Sequence, residues 1–458
     1  MIASYWTPSS VWTEAKRTLY FGAPVIATQL LQMSMSFVDT VMAGRISPLD
    51  LGAIAVGASS FLPLMVISMG TLIVVNPIVA HNLGARKFHL IGKNLRQALW
   101  LSQLFALVSF FIIRNLDFVM QWMNVEAEII PLAMGYLKAI SWGVFPLYAY
   151  VCYRSFNEGL STVRPAMFIA LAGAIINIPA NYVLMFGYGP IPGLGAIGTG
   201  YASAIVYTAM WLGMMVFTGT FKPYKRFAIF STFRLPDPKS IKEMLSLGVP
   251  IGVSGSLEVT MFALVSLMMG TLGTIAVASH QVAINFASLT FMIPFGLSIA
   301  QTARIGQSMG RGQVREARFR GWMGVVVSTS CMAVFALLML LFPEWIIAIY
   351  TDDPEVVAGA LKLLGIAAIF QLSDGVQISA IGALRGMKDT QIPMVFNLLA
   401  YGLTGIPLSI YLGITLGYGG QGMWTGLVIG LTFAAIVHVT RFHHLTMSTI
   451  RKKDASMA

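Results

Sequence analysis

The sequence predicts an all-α polytopic membrane protein: twelve transmembrane helices in two six-helix pseudo-symmetric lobes. Three observations carry that prediction. The first is composition. Of 458 residues, 57% are hydrophobic and only 10% are charged, against about 25% charged in an ordinary soluble domain. Mean hydropathy is +0.76. A soluble core of this size leaves too much apolar surface uncovered, so lipid has to be part of the solvent. The second is twelve apolar stretches, each long enough to cross the hydrocarbon. The third is that the two halves of the chain match.

Taken in order, the stretches lie between charged or Gly/Pro-rich punctuation, at about 20 residues per crossing. The first six are 17–42, 51–80, 94–113, 130–150, 163–187 and 195–219. After a polar interval come 243–270, 274–300, 320–342, 357–381, 391–415 and 420–440. Residues 1–15 hold no apolar core ahead of a small-residue cleavage site, so no cleavable signal is expected. Cys152 and Cys331 both sit in apolar stretches, which suggests neither a disulfide framework nor a metal site.

Alternate connections fall on opposite sides of the membrane, and the basic residues sort accordingly. Of 29 Lys and Arg, all but Arg45, Arg114, Lys138 and Lys362 fall on the side that holds both termini. That bias places the termini in the cytoplasm and requires an even number of spans. It also accounts for the net charge of +11 without invoking nucleic acid. The other side is acidic, with Asp50, Asp117, Glu126, Glu128, Glu344, Asp352, Asp353 and Glu355. Such a cluster serves solubility or forms a cation-attracting vestibule.

A shift of 226 residues places Gly22 on Gly248, Pro24 on Pro250, Gly44 on Gly270 and Gly70 on Gly296. Gly84 then falls on Gly310 and Gly200 on Gly426, while Pro165 and Pro179 match Pro393 and Pro407 after a small indel. Matched Gly and Pro are informative because they set bends and close helix approach. The repeated unit is six helices, an even number, so both copies insert in the same sense, related by an axis along the membrane normal. The expected division is 1–219 as the N-terminal lobe, 220–242 as a cytoplasmic linker, 243–442 as the C-terminal lobe and 443–458 as a cytoplasmic tail. Two such lobes facing each other across a cleft can rock open to either side.

Three acids lie deep in apolar stretches: Asp39, Glu258 and Asp374. An ionisable group at mid-span costs about 2.5–3.5 kcal/mol on insertion scales. No Lys or Arg stands nearby in sequence. A structural role as permanently neutral, hydrogen-bonded acids is one reading. The other is a switch between a protonated and a cation-bound state, which an ion-coupled carrier needs. The duplication places Val265 opposite Asp39, so Asp39 belongs to the first lobe, and Glu258 and Asp374 to the second. Asn177 and Asn181 are four apart and share a helix face. Thr199 opens the next span. Carboxylate, amide and hydroxyl oxygens are the hard ligands a small cation takes, although an Asn pair also serves as interhelical glue.

Phe37-Val-Asp-Thr-Val-Met-Ala-Gly44 resembles the opening signature of the multidrug and toxic compound extrusion (MATE) transporters, in their NorM-type bacterial branch. Pro294-Phe-Gly296, Gln281 with Asn285, and Arg385-Gly-Met-Lys-Asp-Thr390 extend the resemblance, which covers about residues 15–445. It implies a multidrug efflux antiporter of the bacterial inner membrane working by alternating access; a monomer is expected, since the cleft lies between lobes of one chain. Its substrates would be organic cations, dyes and fluoroquinolone-like drugs, exchanged for Na+ or H+. It implies no cofactor beyond the coupling ion, no enzymatic activity and no nucleic-acid partner. By the same resemblance Asp39, Asn177, Asn181 and Thr199 form an N-lobe ion site able to hold Na+, and Glu258 and Asp374 a C-lobe site. Some relatives carry Tyr where Phe370 stands here. Its absence removes a hydroxyl ligand and argues against sodium in the second lobe.

The resemblance also implies an amphipathic substrate site. Its candidates are Gln281, Phe262, Phe286 and Phe291, with Ser59 and the outer acids Asp352 and Asp353. Aromatic faces attract organic cations by roughly 0.5–2 kcal/mol each. Met33, Met35, Met261, Met268 and Met292 supply adaptable surface. The nearest alternative is a flippase for lipid-linked saccharides, whose cleft would be lined by basic residues. An intramembrane aspartyl protease built on Glu258 and Asp374 lacks its Gly-x-Gly-Asp sequence. ATP-driven transport lacks a phosphate-binding loop.

Overall fold

The computed structural model describes residues 6–123, 125–230 and 235–456. Arg234, in the expected linker, lies outside the described residues, as do the ends of the expected first lobe and tail. Twelve helices are long and apolar enough to span a membrane. They are α1 (Pro8–Gly44), α2 (Pro48–Gly84), α3 (Phe88–Ile113), α4 (Ile129–Gly159), α5 (Arg164–Phe186) and α6 (Ala196–Thr220). Then follow α7 (Pro238–Gly270), α8 (Thr274–Gly310), α9 (Val314–Leu341), α10 (Pro354–Gly386), α11 (Gln391–Thr415) and α12 (Gly419–Ala455). Each expected span falls on one of them. Helix satisfies every backbone group internally, which hydrocarbon demands. Large apolar side chains point outward, among them Phe111 on α3, Ile175 on α5 and Leu337 on α9.

Several helices outrun the expected spans. α1 starts at Pro8, α8 continues to Gly310 and α12 to Ala455, so most of the expected tail is helix. The extensions are too polar to register as apolar stretches, and ion pairs hold them. Glu14 on α1 pairs with Arg304 on α8 at 2.5 Å, and the Arg304 guanidinium also donates to Thr18 Oγ1 at 2.9 Å. On α9, Arg315 pairs with Asp454 of α12 at 2.8 Å.

The compact units do not divide at the linker. One is Ala27–Gly252; the other joins α1 up to Ile26 with the chain from Val253 onward. The matched glycines explain why. In the first unit the start of α7 lies against α2: a Cβ on Gly248 would meet Thr71 O at 2.4 Å, and one on Gly70 would meet Gly252 Cα at 2.6 Å. In the second unit the start of α1 lies against α8 at the duplicate positions. There a Cβ on Gly22 would meet the Leu297 side chain at 2.4 Å, and one on Gly296 the Ile26 backbone at 2.8 Å.

Between α6 and α7 the chain is docked rather than slack. Lys222–Phe227 forms a 3₁₀ turn with Tyr224 and Phe227 buried. Tyr224 Oη donates to Asn157 Oδ1 at 2.8 Å. Arg96 on α3 donates to Ala228 O at 2.6 Å and Ile229 O at 2.9 Å. Lys93 pairs with Asp237.

The matched prolines behave alike. Pro179 in α5 is followed by a π-helical turn over Tyr182–Phe186, and Pro407 in α11 by one over Tyr411–Thr415. A proline removes one N–H from the i→i−4 ladder, and the ladder can recover by slipping one residue. A small antiparallel ribbon, β1 (Gly187–Tyr188) with β2 (Ile191–Pro192), joins α5 to α6.

Candidate functional site

In the first unit, α1, α5 and α6 bring one carboxylate together with a set of uncharged oxygens. Asp39 is half-buried on α1. Asn177 and Asn181 project from one face of α5, and their amide nitrogens donate to Asp39 Oδ1 at 2.9 and 2.6 Å. From α6, Ser203 donates to Asp39 Oδ2 at 3.4 Å. Asn177, Asn181 and Thr199 are almost wholly buried, yet Asn177 Oδ1, Asn181 Oδ1 and Thr199 Oγ1 have no hydrogen-bond partner. Leaving a buried acceptor unmatched costs about 1–3 kcal/mol. The amide groups can rotate by half a turn, and amide orientation follows the local hydrogen-bond network. Turned so, the two carbonyls join the carboxylate in one oxygen set for a small cation.

A cavity of about 160 Å³ opens beside this site. Asp39, Asn177 and Ser203 line it, with Met35, Met65, Met69 and Tyr207 on the apolar side. Of these methionines the sequence reading named only Met35. Ser203 and Tyr207 were missed as well. They lie four and eight residues beyond Thr199, roughly on its helix face, and that spacing is the signal that finds them.

In the second unit, Glu258 on α7 and Asp374 on α10 interact electrostatically. Asp374 is 2% exposed, and its Oδ1 has no hydrogen-bond partner. No Lys or Arg stands near these acids in sequence, but one interacts with Glu258 in the fold. Arg385, also on α10, interacts electrostatically with Glu258. It lies eleven residues beyond Asp374, three helical turns along the same face. The sequence reading put it in a connecting loop, because the charge count stopped the span at residue 381.

The expected substrate residues fare differently. Phe262 packs edge-on against Phe370 at 5.8 Å, and Phe370 likewise against Trp424 at 5.8 Å. The Trp424 indole N–H donates to His280 Nδ1 at 3.1 Å. Phe286 packs partly into the core of this unit. Phe291 stacks on Phe295 at 5.7 Å. Gln281 is exposed, and its backbone carbonyl accepts from the Asn285 side-chain amide at 2.8 Å. Ser59 belongs to the first unit, and its hydroxyl donates back to Ala55 O at 2.8 Å. Asp352 and Asp353 are exposed, and Asp353 Oδ1 caps α10, accepting from Glu355 N at 2.9 Å and Val356 N at 3.2 Å. Among the described residues no group of three or more His, Cys, Asp or Glu is placed to hold a metal ion.

Twelve spans, a duplicated six-helix plan and acids buried beside orphaned oxygens describe a membrane carrier. The MatE family matches residues 24–183 and 250–411, one block in each half, and the chain belongs to that family of MATE transporters, which are not enzymes. Among curated relatives, the multidrug resistance protein PmpM of Pseudomonas aeruginosa is 38% identical over 447 residues, 96% of this chain and 94% of that protein. The probable multidrug resistance protein NorM of Shewanella oneidensis is 38% identical over 440 residues, 94% and 95% of the two chains. Multidrug resistance protein MdtK of Yersinia pseudotuberculosis is 38% identical over 437 residues, 94% and 96%. The eukaryotic MATE transporter AtDTX14 shares the fold, with a TM-score of 0.87, 17% identity, and 96% and 99% of the two chains covered. So does a multidrug resistance MATE family transporter solved in an outward-facing conformation, at 0.88, 16% identity, and 96% and 97% coverage.

Proposed function

We propose that this chain is a multidrug efflux antiporter of the bacterial inner membrane, with both termini cytoplasmic. It exports amphipathic organic cations in exchange for Na+ or H+ by alternating access, and works as a monomer. The observation that carries the reading is the Asp39 site. A half-buried carboxylate and three orphaned oxygens from Asn177, Asn181 and Thr199 lie beside a methionine-lined cavity. That arrangement offers a small cation its ligands and an organic cation its apolar wall. Similarity to PmpM, NorM and MdtK, all named as multidrug resistance proteins, supports the substrate class. The basic side of the chain supports the orientation.

In the proposed cycle the ionised carboxylates hold the organic cation in the inward-open state. Once the site opens outward, Na+ or H+ neutralises them and the drug leaves. One charge moving inward across about 100 mV releases about 2.3 kcal/mol, enough for a drug gradient of roughly fiftyfold. If drug and ion carry equal charge and exchange one for one, the voltage contribution cancels.

The test is ethidium efflux from proteoliposomes under an imposed Na+ gradient, then under a pH gradient, for wild type and Asp39→Asn. Na+-driven efflux that disappears in Asp39→Asn supports the assignment. Wild-type protein that is folded and moves no dye under either gradient overturns the antiporter reading.

A further inference from the structure

The polar start of α1 borders a cavity that the transport reading leaves unused. Ser9, Thr13 and Arg17 follow one another at four-residue spacing, so they share one face of α1, with Ser10 beside them. Together with Glu14, and with Glu316, Phe319 and Arg320 of α9, they line a cavity of about 290 Å³. All of these residues belong to the second unit.

Positive charge is in excess there. Among the described residues, four guanidinium groups gather around two carboxylates. Arg304 pairs with Glu14 at 2.5 Å. Arg320 pairs with Glu316 at 2.7 Å and lies 3.8 Å from Glu14, while Arg311 lies 3.7 Å from Glu316. Arg17 is the fourth. It is exposed, enters no ion pair among the described residues and interacts electrostatically with Arg304. The cluster thus carries two positive charges that its own acids do not match. Arg320 is also held in place, donating to Ser308 Oγ at 2.8 Å and Arg304 O at 3.1 Å, while its buried Nε makes no hydrogen bond.

We propose that this cavity binds the phosphate of an anionic phospholipid headgroup, drawn from the leaflet on the side of the N-terminus, the inner leaflet in the proposed orientation. Phosphate suits the donors present: guanidinium groups bind it bidentately, and serine and threonine hydroxyls complete its oxygen shell. Glu14 and Glu316 are each matched by an arginine, so the surplus charge is what an incoming headgroup meets. A zwitterionic headgroup brings a cation of its own and leaves that surplus unrelieved. The aromatic residues favour a lipid over a soluble anion. Trp6 and Trp12 are 48% and 64% exposed, and Lys16 Nζ stands 4.9 Å from the centre of the Trp12 ring. Tryptophans on the surface of a span lie at headgroup level, and basic pockets between cytoplasmic helix ends take anionic headgroups. Bound there, the headgroup bridges α1 to α9.

The inference does not depend on what the protein transports. It is tested by native mass spectrometry and thermal unfolding of the purified full-length protein with phosphatidylglycerol, phosphatidylcholine or inorganic phosphate added. One phosphatidylglycerol per chain is expected to stay bound under activation that strips phosphatidylcholine, and to raise Tm. Arg17 and Thr13 are exposed, so Arg17→Gln and Thr13→Val are expected to keep the lipid-free Tm. Arg17→Gln is expected to weaken phosphatidylglycerol binding about tenfold or more, through loss of a charged hydrogen bond. Thr13→Val is expected to weaken it about threefold, through loss of a neutral one, and stands in should Arg17→Gln not fold. Equal retention of the two lipids, or phosphatidylglycerol binding undiminished in folded Arg17→Gln, overturns the proposal. Inorganic phosphate that displaces phosphatidylglycerol, and raises the Tm of wild type but not of Arg17→Gln, would assign the cavity to a soluble anion and overturn the lipid.

Discussion

Side chains that pair across distant sequence were the least legible part of this chain. Asp39, Glu258 and Asp374 stood out because a mid-span acid has a recognisable cost, and Asn177 and Asn181 because amides four apart share a face. Their convergence on Asp39 Oδ1 needed three dimensions. Gln371 and Gln377 of α10, both fully buried with side-chain oxygens that lack partners, left no comparable mark, because glutamine is a good helix former and passes unnoticed in a long span. Asp353 differs again: a charged residue that invites a functional reading also serves the backbone. Its carboxylate caps the first turn of α10. Asn caps as well as Asp, whereas Ala costs about 1 kcal/mol. Asp353→Asn is therefore expected to keep both thermal stability and the KM for ethidium efflux. Asp353→Ala is expected to lower stability by about 1 kcal/mol with KM unchanged. A raised KM in Asp353→Asn at unaltered stability would restore Asp353 to the substrate path.

Helices were legible wherever hydropathy alone decides. All twelve spans were found, and the ends that differ are those held by charge, such as α1 through Glu14 and α8 through Arg304. The matched glycines and prolines were readable as a duplication, but which helices they bring together was not. Periodicity within a helix does not say what lies against it. In the first unit a Cβ on Gly252 would stand 2.3 Å from Ile67 O, a backbone atom that cannot swing aside. Gly365 on α10 has nothing within 4 Å of its would-be Cβ. Gly252→Ala is expected to cost about 1–3 kcal/mol by overpacking, and Gly365→Ala to gain up to about 1 kcal/mol in helix propensity. Melting in detergent checks both, and equal Tm values for the two variants would show that α7 does not need its close approach to α2. How the linker is held was hidden in the same way: its prolines and basic run mark a connection, while Tyr224, Arg96 and Lys93 fasten it to the first unit. Its docking is not a pH switch. The hydrogen bond from Lys93 holds the Asp237 carboxyl down at about 2. The pairing is thus complete above the usual carboxylate range and is lost only as pH falls through about 2.

Across the whole chain the duplication is one of plan, with unequal chemistry. Gly and Pro repeat, but Asp39 faces Val265 in the alignment of halves, and the second unit carries two acids with an arginine. That asymmetry was visible in the sequence; the charge balance was not, because Arg385 had been counted as a loop residue. With Arg385 included, the cluster of Glu258, Asp374 and Arg385 carries one net negative charge when both acids are ionised. The Asp39 site also carries one, since its hydrogen-bonding partners are the neutral Asn177, Asn181 and Ser203. If each unit loads one monovalent cation, two ions enter for every singly charged drug that leaves, and one net positive charge moves inward per cycle. Such an antiporter is electrogenic. In proteoliposomes with equal Na+ and equal pH on both sides, a potassium–valinomycin potential, negative on the side from which dye is expelled, is then expected to drive ethidium efflux by itself. About 100 mV would sustain a dye gradient of roughly fiftyfold. Asp39→Asn, which removes the carboxylate of the first site, would lose efflux under the potential as it does under a Na+ gradient. A wild-type protein that ignores the potential but responds to a Na+ gradient would mean that only one of the two units loads an ion in each cycle.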